Sequence, residues 1–182
     1  MFCLTVDDEL NLLLLEQRLA PVLFDLIESN RDYLGAWFPW VQHTHAVTDI
    51  QAFIKRSLIG FAEGRELVCA IDHQDSMVGI ISYNKIRPDL KKVEIGYWLA
   101  ESAQGKGVMS RSCKHLVNHA FEKMGMEKVE IHVATENLSS RKLCERLGME
   151  LEGIIGNAEK LSFGIVDHAI YGLYKQGMGR RP

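Results

Sequence analysis

Gln104-Gly105-Lys106-Gly107-Val108-Met109 joins two segments of different periodicity. Before it, Val93 to Ala100 is an apolar, strand-like run. After it, Met109, Cys113, Leu116, Val117, Ala120, Phe121 and Met124 recur at three and four residues, as on a helix with one apolar face. A strand that enters a helix through two glycines has few ways to fold. The glycines admit a left-handed backbone and let the chain come close to a ligand. The helix start behind them offers unpaired N–H groups and the positive end of the helix dipole, which suits a phosphate. The segment predicts a cradle for a phosphorylated cofactor.

Two common nucleotide motifs do not fit. A dinucleotide fingerprint wants glycine or alanine at Ser110 and an acidic residue ending the next strand, whereas Glu130 opens that strand. The triphosphatase loop needs Gly-Lys-Ser or Gly-Lys-Thr, and neither occurs. By its own residues the loop still admits a tight turn that binds nothing.

Periodicity and punctuation predict the remaining elements. Leu10 to Gln17 reads as a first strand. Pro21 fits the first turn of a helix with Val22, Leu23, Leu26 and Ile27 on one face. Thr48-Asp-Ile-Gln51 has the form of a capping box for a helix to about Glu63. Leu67 to Asp72 and Met77 to Asn84 read as a hairpin around His73 to Ser76. Lys128 to Ala134 is a strand, and Leu138 to Leu147 a short helix that Gly148 ends with a left-handed cap. Strands around Leu151 to Ile155 and Val166 to Tyr174 close the chain. Strands and helices alternate after the hairpin, so the class is mixed α/β. A parallel pair joined by the helix after Gly107 puts the loop at strand C-terminal ends, where open α/β sheets bind ligands.

A chain of 182 residues without a linker or repeat predicts one domain over 1–182. The apolar share, 47%, is that of an ordinary globular protein. No run approaches the roughly 18 apolar residues of a membrane span. The Leu12 to Leu15 run follows acidic Asp7, Asp8 and Glu9, so it lacks the basic start of a signal peptide. Cys3, Cys69, Cys113 and Cys144 have no paired spacing and read as free thiols of a cytoplasmic protein. A net charge of −3 argues against nucleic acid as a partner and permits a cationic substrate. The Gly179-Arg-Arg-Pro182 tail reads as a solvated end. His115 and His119 have a metal-compatible spacing but no third ligand, so no metal is expected; His43 and His45 read as loop.

Gln104-x-x-Gly107-x-Met109 resembles the Arg/Gln-x-x-Gly-x-Gly/Ala pyrophosphate loop of the GNAT superfamily of N-acetyltransferases. Met109 departs from that pattern. Asn137-Leu-Ser-Ser140, Leu147-Gly148-Met149 and Glu152-Gly153 are similar to the family's second cofactor segment. Asn30-Arg31-x-x-Leu34-x-x-Trp37-x-Pro39-Trp40, Glu94-Ile-Gly-Tyr-Trp98 and Gly164-x-x-Asp167-x-x-x-Tyr171 resemble the RimJ/RimL-type branch, which acetylates N-termini of ribosomal proteins. The motifs span nearly the whole chain in the family's order. The resemblance implies a mixed sheet splayed between the central strand and the next, flanked by helices, with acetyl-CoA in the gap. It also implies a cofactor site of Gln104, Gly105, Lys106, Gly107, Val108, Met109 and Ser110, with Asn137 and the main chain of Trp98 and Leu99. A homodimer is a further family-level expectation.

Acetyl transfer to an amine needs a proton acceptor, a polarised carbonyl and a protonated leaving thiolate. At neutral pH an α-amine, pKa near 8, costs roughly 1 kcal/mol to deprotonate, and a lysine amine about 4–5. A carboxylate base can serve the first. In the branch resembled, the carboxylate at the Glu94 position faces the substrate amine; otherwise Glu94 is a solvated residue at a strand start. Gly96 shares its face and leaves room beside it. Backbone N–H groups of the same strand suit the oxyanion. Many family members carry a tyrosine seven residues after the motif's asparagine; here that position is Cys144. The branch resembled often carries a serine one turn earlier, which implies Ser140 as the candidate acid, with a local helix bond as its plain alternative. A thiolate of pKa near 8.5 can also leave with water as the donor. Cys144 fits equally a small buried helix residue. Lys106 and Arg111 flank the loop and suit phosphate oxygens, or solvent.

These residues support three readings. The first is acetylation of a protein N-terminus, ribosomal in type. The second is the same chemistry on a small amine such as a polyamine or an antibiotic. The third is a non-catalytic acyl-CoA-binding module, which the missing tyrosine leaves open.

Overall fold

The computed structural model describes residues 2–176, so the basic tail at Gly179 to Pro182 lies outside the described residues. One eight-stranded mixed sheet runs through the molecule, in the spatial order first, second, third, fourth, fifth, sixth, eighth, seventh. The strands are β1 (Cys3–Asp7), β2 (Leu10–Leu14), β3 (Leu67–His73), β4 (Ser76–Arg87), β5 (Lys92–Leu99), β6 (Lys128–Ala134), β7 (Glu150–Leu161) and β8 (Gly164–Tyr174). The helices are α1 (Ala20–Glu28), α2 (Arg31–Gly35), α3 (Val47–Ala62), α4 (Val108–Glu122) and α5 (Leu138–Arg146).

The sheet has a core on each face. Alternation along β5 sends Val93, Ile95 and Leu99 to one side, where they meet Val108, Cys113, Leu116 and Ala120 of α4. It sends Trp98 to the other, with Leu23 and Ile27 of α1 and Ile50 and Ile54 of α3. The apolar repeat after Met109 is thus the face of α4 that lies on the sheet.

β5 and β6 are the parallel pair, joined by α4. They pair only from Lys92↔Lys128 to Glu94↔Glu130, and beyond that rung β5 has no partner on its β6 side among the described residues. β6 turns instead to β8, with which it pairs along its whole length. This is the splay that the resemblance implied, and it opens a gap in mid-sheet.

Several boundaries differ from expectation. Cys3–Asp7 forms an additional strand, and Leu10 to Gln17 is strand only to Leu14. The acidic run between is a hairpin turn in which the Glu9 N–H donates to Asp7 Oδ1 at 3.0 Å. Helix α3 begins one residue before Thr48, and the expected box is not used. Asp49 caps instead, accepting from the His45 and Ala46 N–H groups at 2.8 and 3.0 Å. β4 extends past Asn84 through a bulge, because Asn84 is an extra residue between the rungs Tyr83↔Ile95 and Lys85↔Glu94. The hairpin turn itself is Gln74-Asp75, both at positive φ as a tight two-residue turn requires. β7 is much longer than Leu151 to Ile155. It is an edge strand exposed over most of its length, so it lacks the one-sided apolar alternation that marks a strand in sequence.

Candidate active site

The Gln104 to Ser110 loop lies beyond the C-terminal end of β5. Gly105 and Gly107 both take left-handed backbone, φ 73° and 72°, and Gly107 is the N-cap of α4. No side chain caps that helix, and its first turn carries no acidic residue. The first helical bond is from the Arg111 N–H to the Gly107 carbonyl, at 3.0 Å. The orphan N–H groups of the first turn are therefore offered to the cleft beside them. That cleft has a volume of about 460 Å³ and includes Trp98, Leu99, Gln104, Gly105, Gly107, Val108, Met109, Ser110, Asn137 and Ser140 in its wall. Of the predicted cofactor residues, Lys106 does not line it; its side chain is exposed.

Neighbouring elements hold the loop. The Gln104 side-chain amide donates to the Tyr33 hydroxyl. The Glu101 N–H donates to Asn30 Oδ1 at 3.0 Å. Arg31 ties down the following turn by donating to the Val41 and Thr44 carbonyls at 2.7 and 2.6 Å. The Asn30-Arg31 motif is thus a clamp between α1, the Pro39–His43 turn and the loop. Arg111 does not face the loop. It donates to Asp7 at 2.8 Å and so locks the start of α4 to the β1–β2 hairpin.

Asn137 caps α5, its Oδ1 accepting from the Ser140 N–H at 3.2 Å and the Ser139 hydroxyl at 3.0 Å. Those bonds use its carbonyl oxygen; its amide N–H groups are the donors suited to a ligand. The Ser140 hydroxyl lies 2.7 Å from the Tyr97 hydroxyl. Cys144 is fully buried, and burial pushes its thiol up to about 12. It is a packing residue one turn behind Ser140. Ser139 and Arg146 also line the cleft, and periodicity gave no signal for either.

A second chamber, about 800 Å³, opens on the opposite face of β5. Trp37, Phe38, Tyr97, Trp98 and Asn137 line both spaces, so the two meet across the splay. Glu94 lines the second chamber with its side chain 14% exposed, low enough to shield it from bulk water. Lys85 donates to it at 2.8 Å, and His132 Nδ1 lies 4.0 Å away. Gly96 shares its face, but the room beside it is not empty: a Cβ there would collide with the Asn84 side chain. The β4 bulge aims Asn84 into this space, where the Ser82 hydroxyl donates to its Oδ1 at 2.7 Å. Trp40 packs near Trp98 with ring centroids 6.3 Å apart, and Trp37 meets Phe163 edge-on at 5.6 Å. The tryptophans of the Trp37-x-Pro39-Trp40 segment are therefore walls of the chamber. His43, read as loop, lines it too.

Behind Glu94 lies an ionic cluster. Lys92 donates to Glu130 at 2.9 and 3.0 Å, and Lys128 bridges Glu130 and Glu152 at 2.6 Å each. His132 and these ammonium groups hold the Glu130 carboxyl well below the usual range. His132 Nε2 is 3.6 Å from Glu130, near enough for attraction but not for a hydrogen bond. His119 turns towards the core rather than to a metal: its Nδ1 lies 3.2 Å from the buried Tyr83 hydroxyl. Among the described residues no group of three His, Cys, Asp or Glu side chains could hold a metal.

A family model described as an acetyltransferase (GNAT) domain matches residues 9–150. The chain belongs to the GNAT acetyltransferase family. Its relatives include the ribosomal-protein-serine acetyltransferase of Escherichia coli (strain K12), 29% identical over 91% of this chain and 93% of that protein. Among solved structures, RimL, a ribosomal L7/L12 alpha-N-protein acetyltransferase in complex with coenzyme A, superposes with a TM-score of 0.92 at 27% identity. That match covers 95% of this chain and 98% of the other. The microcin C7 self-immunity acetyltransferase, in complex with acetyl-CoA and AMP, has a TM-score of 0.90 at 28% identity, covering 93% and 94%. As a GNAT member the chain is an acyltransferase, and its open mixed sheet flanked by helices matches the family's fold. The first-turn donors, the two glycines and the Asn137 amide fit a cofactor that carries a pyrophosphate and an amide arm.

Proposed function

We propose that this protein transfers an acetyl group from acetyl-CoA to the α-amino group of a protein N-terminus, of the serine- or alanine-starting ribosomal type. The observation that carries the reading is the opposition of Glu94 and Ser140. Glu94 lines one chamber, Ser140 lines the other, and Tyr97 and Trp98 lie where the two meet. An amine entering from one side and a thiolate leaving on the other need a base and an acid so divided.

Acetyl-CoA supplies the acetyl group as a thioester. The Gln104 to Ser110 loop binds its phosphates through backbone N–H groups, and Asn137 and the main chain of Trp98 and Leu99 hold its amide arm. Glu94 accepts the proton of the attacking amine. N–H groups of β5 beyond Glu94, unpaired on the β6 side, stabilise the oxyanion. Ser140 donates to the departing sulfur. Solvent exchange returns Glu94 and Ser140 to their starting states, so one proton passes in net from amine to sulfur.

The acceptor chamber favours a cation. Asp49, Glu66, Glu94 and Glu159 line it against Arg56. Its volume suits the first residues of a chain held between aromatic walls. A ribosomal-protein acceptor implies a cytoplasmic setting. Exposed Leu151, Ile154 and Ile155 on the β7 edge are consistent with a homodimer.

The test is a panel of acceptors at equal concentration, read by release of free thiol. Peptides with a free N-terminal serine or alanine should give the highest kcat/KM. Faster turnover of spermidine or an aminoglycoside would transfer the reading to a small amine, and no turnover with any acceptor would favour a binding module.

A further inference from the structure

Ser140 is not isolated. Its hydroxyl lies 2.7 Å from that of Tyr97, which comes from β5, 43 residues earlier. A serine in the first turn of a helix commonly bonds back to its own backbone; here the hydroxyl reaches across to another element. The two meet at the cofactor cleft, in the stretch of β5 beyond its last rung with β6. Burial, and then the nearby Cys113 and Cys144 thiols, push the Tyr97 phenol well above its ordinary value. It therefore stays protonated and available as a donor. Cys144, where the resemblance expects a tyrosine, also neighbours this phenol and is too buried to ionise.

Each hydroxyl carries one hydrogen, so only one of them can point along the line between the oxygens. We propose that Tyr97 is a positioning residue for acetyl transfer: it donates to Ser140 Oγ and so turns the Ser140 hydrogen into the cofactor cleft. The phenol missing at Cys144 is thereby supplied from the facing strand, one step behind the serine. Tyr97 keeps its proton throughout, and Ser140 alone donates to the leaving sulfur. This rests on the reading of Ser140 as that donor.

A double-mutant cycle tests it. Tyr97→Phe keeps the ring and removes only the hydroxyl. Its kcat should fall about tenfold, the scale of one hydrogen bond, with KM for acetyl-CoA within about twofold. Ser140→Ala should fall at least as far, and adding Tyr97→Phe to it should cost less than about twofold more. A full-rate Tyr97→Phe enzyme, a loss confined to KM, or the same tenfold loss on the Ser140→Ala background would each overturn the positioning role. In those cases an impaired Ser140→Ala enzyme keeps the serine reading intact. A full-rate Ser140→Ala enzyme would overturn both. Coenzyme A affinity by calorimetry reports whether each variant keeps its fold. If Tyr97→Phe loses that affinity, the hydroxyl serves packing and the proposal fails.

Discussion

Glu94 and Glu130 are direct cross-strand partners on the last rung that β5 and β6 share. Two carboxylates side by side repel unless each has its own cation. Lys85 serves Glu94 at 2.8 Å, while Lys92 and Lys128 serve Glu130 at 2.6 to 3.0 Å. The fork of the sheet thus carries two carboxylates with different tasks. Glu94 lines the second chamber, the proposed acceptor site, and Glu130 is buried in the ionic cluster behind it.

Glu130 should make stability depend on acid. His132, Lys128 and Lys92 depress its carboxyl in the fold relative to the 4.5 of a free glutamate. The stability it contributes is then full above that value and is lost as pH falls through the depressed folded one. Thermal midpoints of the wild type and Glu130→Gln should differ most at neutral pH and converge below about pH 4. A gap that stays constant down to pH 3 would remove Glu130 from the account.

Glu94→Gln keeps the shape of the side chain and removes its basicity. Turnover should fall about 10²- to 10⁴-fold at neutral pH, with acetyl-CoA affinity unchanged. The deficit should shrink as pH rises towards the amine pKa, because the amine then arrives deprotonated. A variant at full rate would assign the proton to water or to another side chain.

Gly107 tests the loop. Its Cβ position meets no protein atom within 4 Å, so a side chain would fit the protein alone. The left-handed backbone there would cost about 1–2 kcal/mol with any larger residue. The side chain would also stand where phosphate must approach the N–H groups. Gly107→Leu should fold and lose coenzyme A affinity by at least about tenfold in calorimetry. Unchanged affinity would place the phosphates elsewhere.

Local signals made much of this fold legible. The helix period after Met109, the two glycines before it and the hairpin around Gln74 each needed only a short window, because backbone geometry and one apolar face dictate them. Long-range features were not legible. Arg111 flanks the loop in sequence but pairs with Asp7, 104 residues away. The bulge at Asn84 fills the space beside Gly96, and only strand register reveals it. Tyr97 stood only as a member of the Val93 to Ala100 strand and the Glu94-Ile-Gly-Tyr-Trp98 motif; its bond to Ser140 depends on how α5 packs over the gap. The extension of β7 past Ile155 escaped because an exposed edge strand has no buried face to write a pattern.

The acceptor is the central claim, and locating the product's acetyl group tests it most directly. A basic peptide with a free N-terminal serine and internal lysines is incubated with acetyl-CoA and the protein, with spermidine present as competitor. Deprotonation favours the α-amine over a lysine amine by roughly 3 kcal/mol. Fragment masses should place a single acetyl group on the N-terminal serine. Acetyl groups on lysine side chains, or on spermidine alone, would contradict the account.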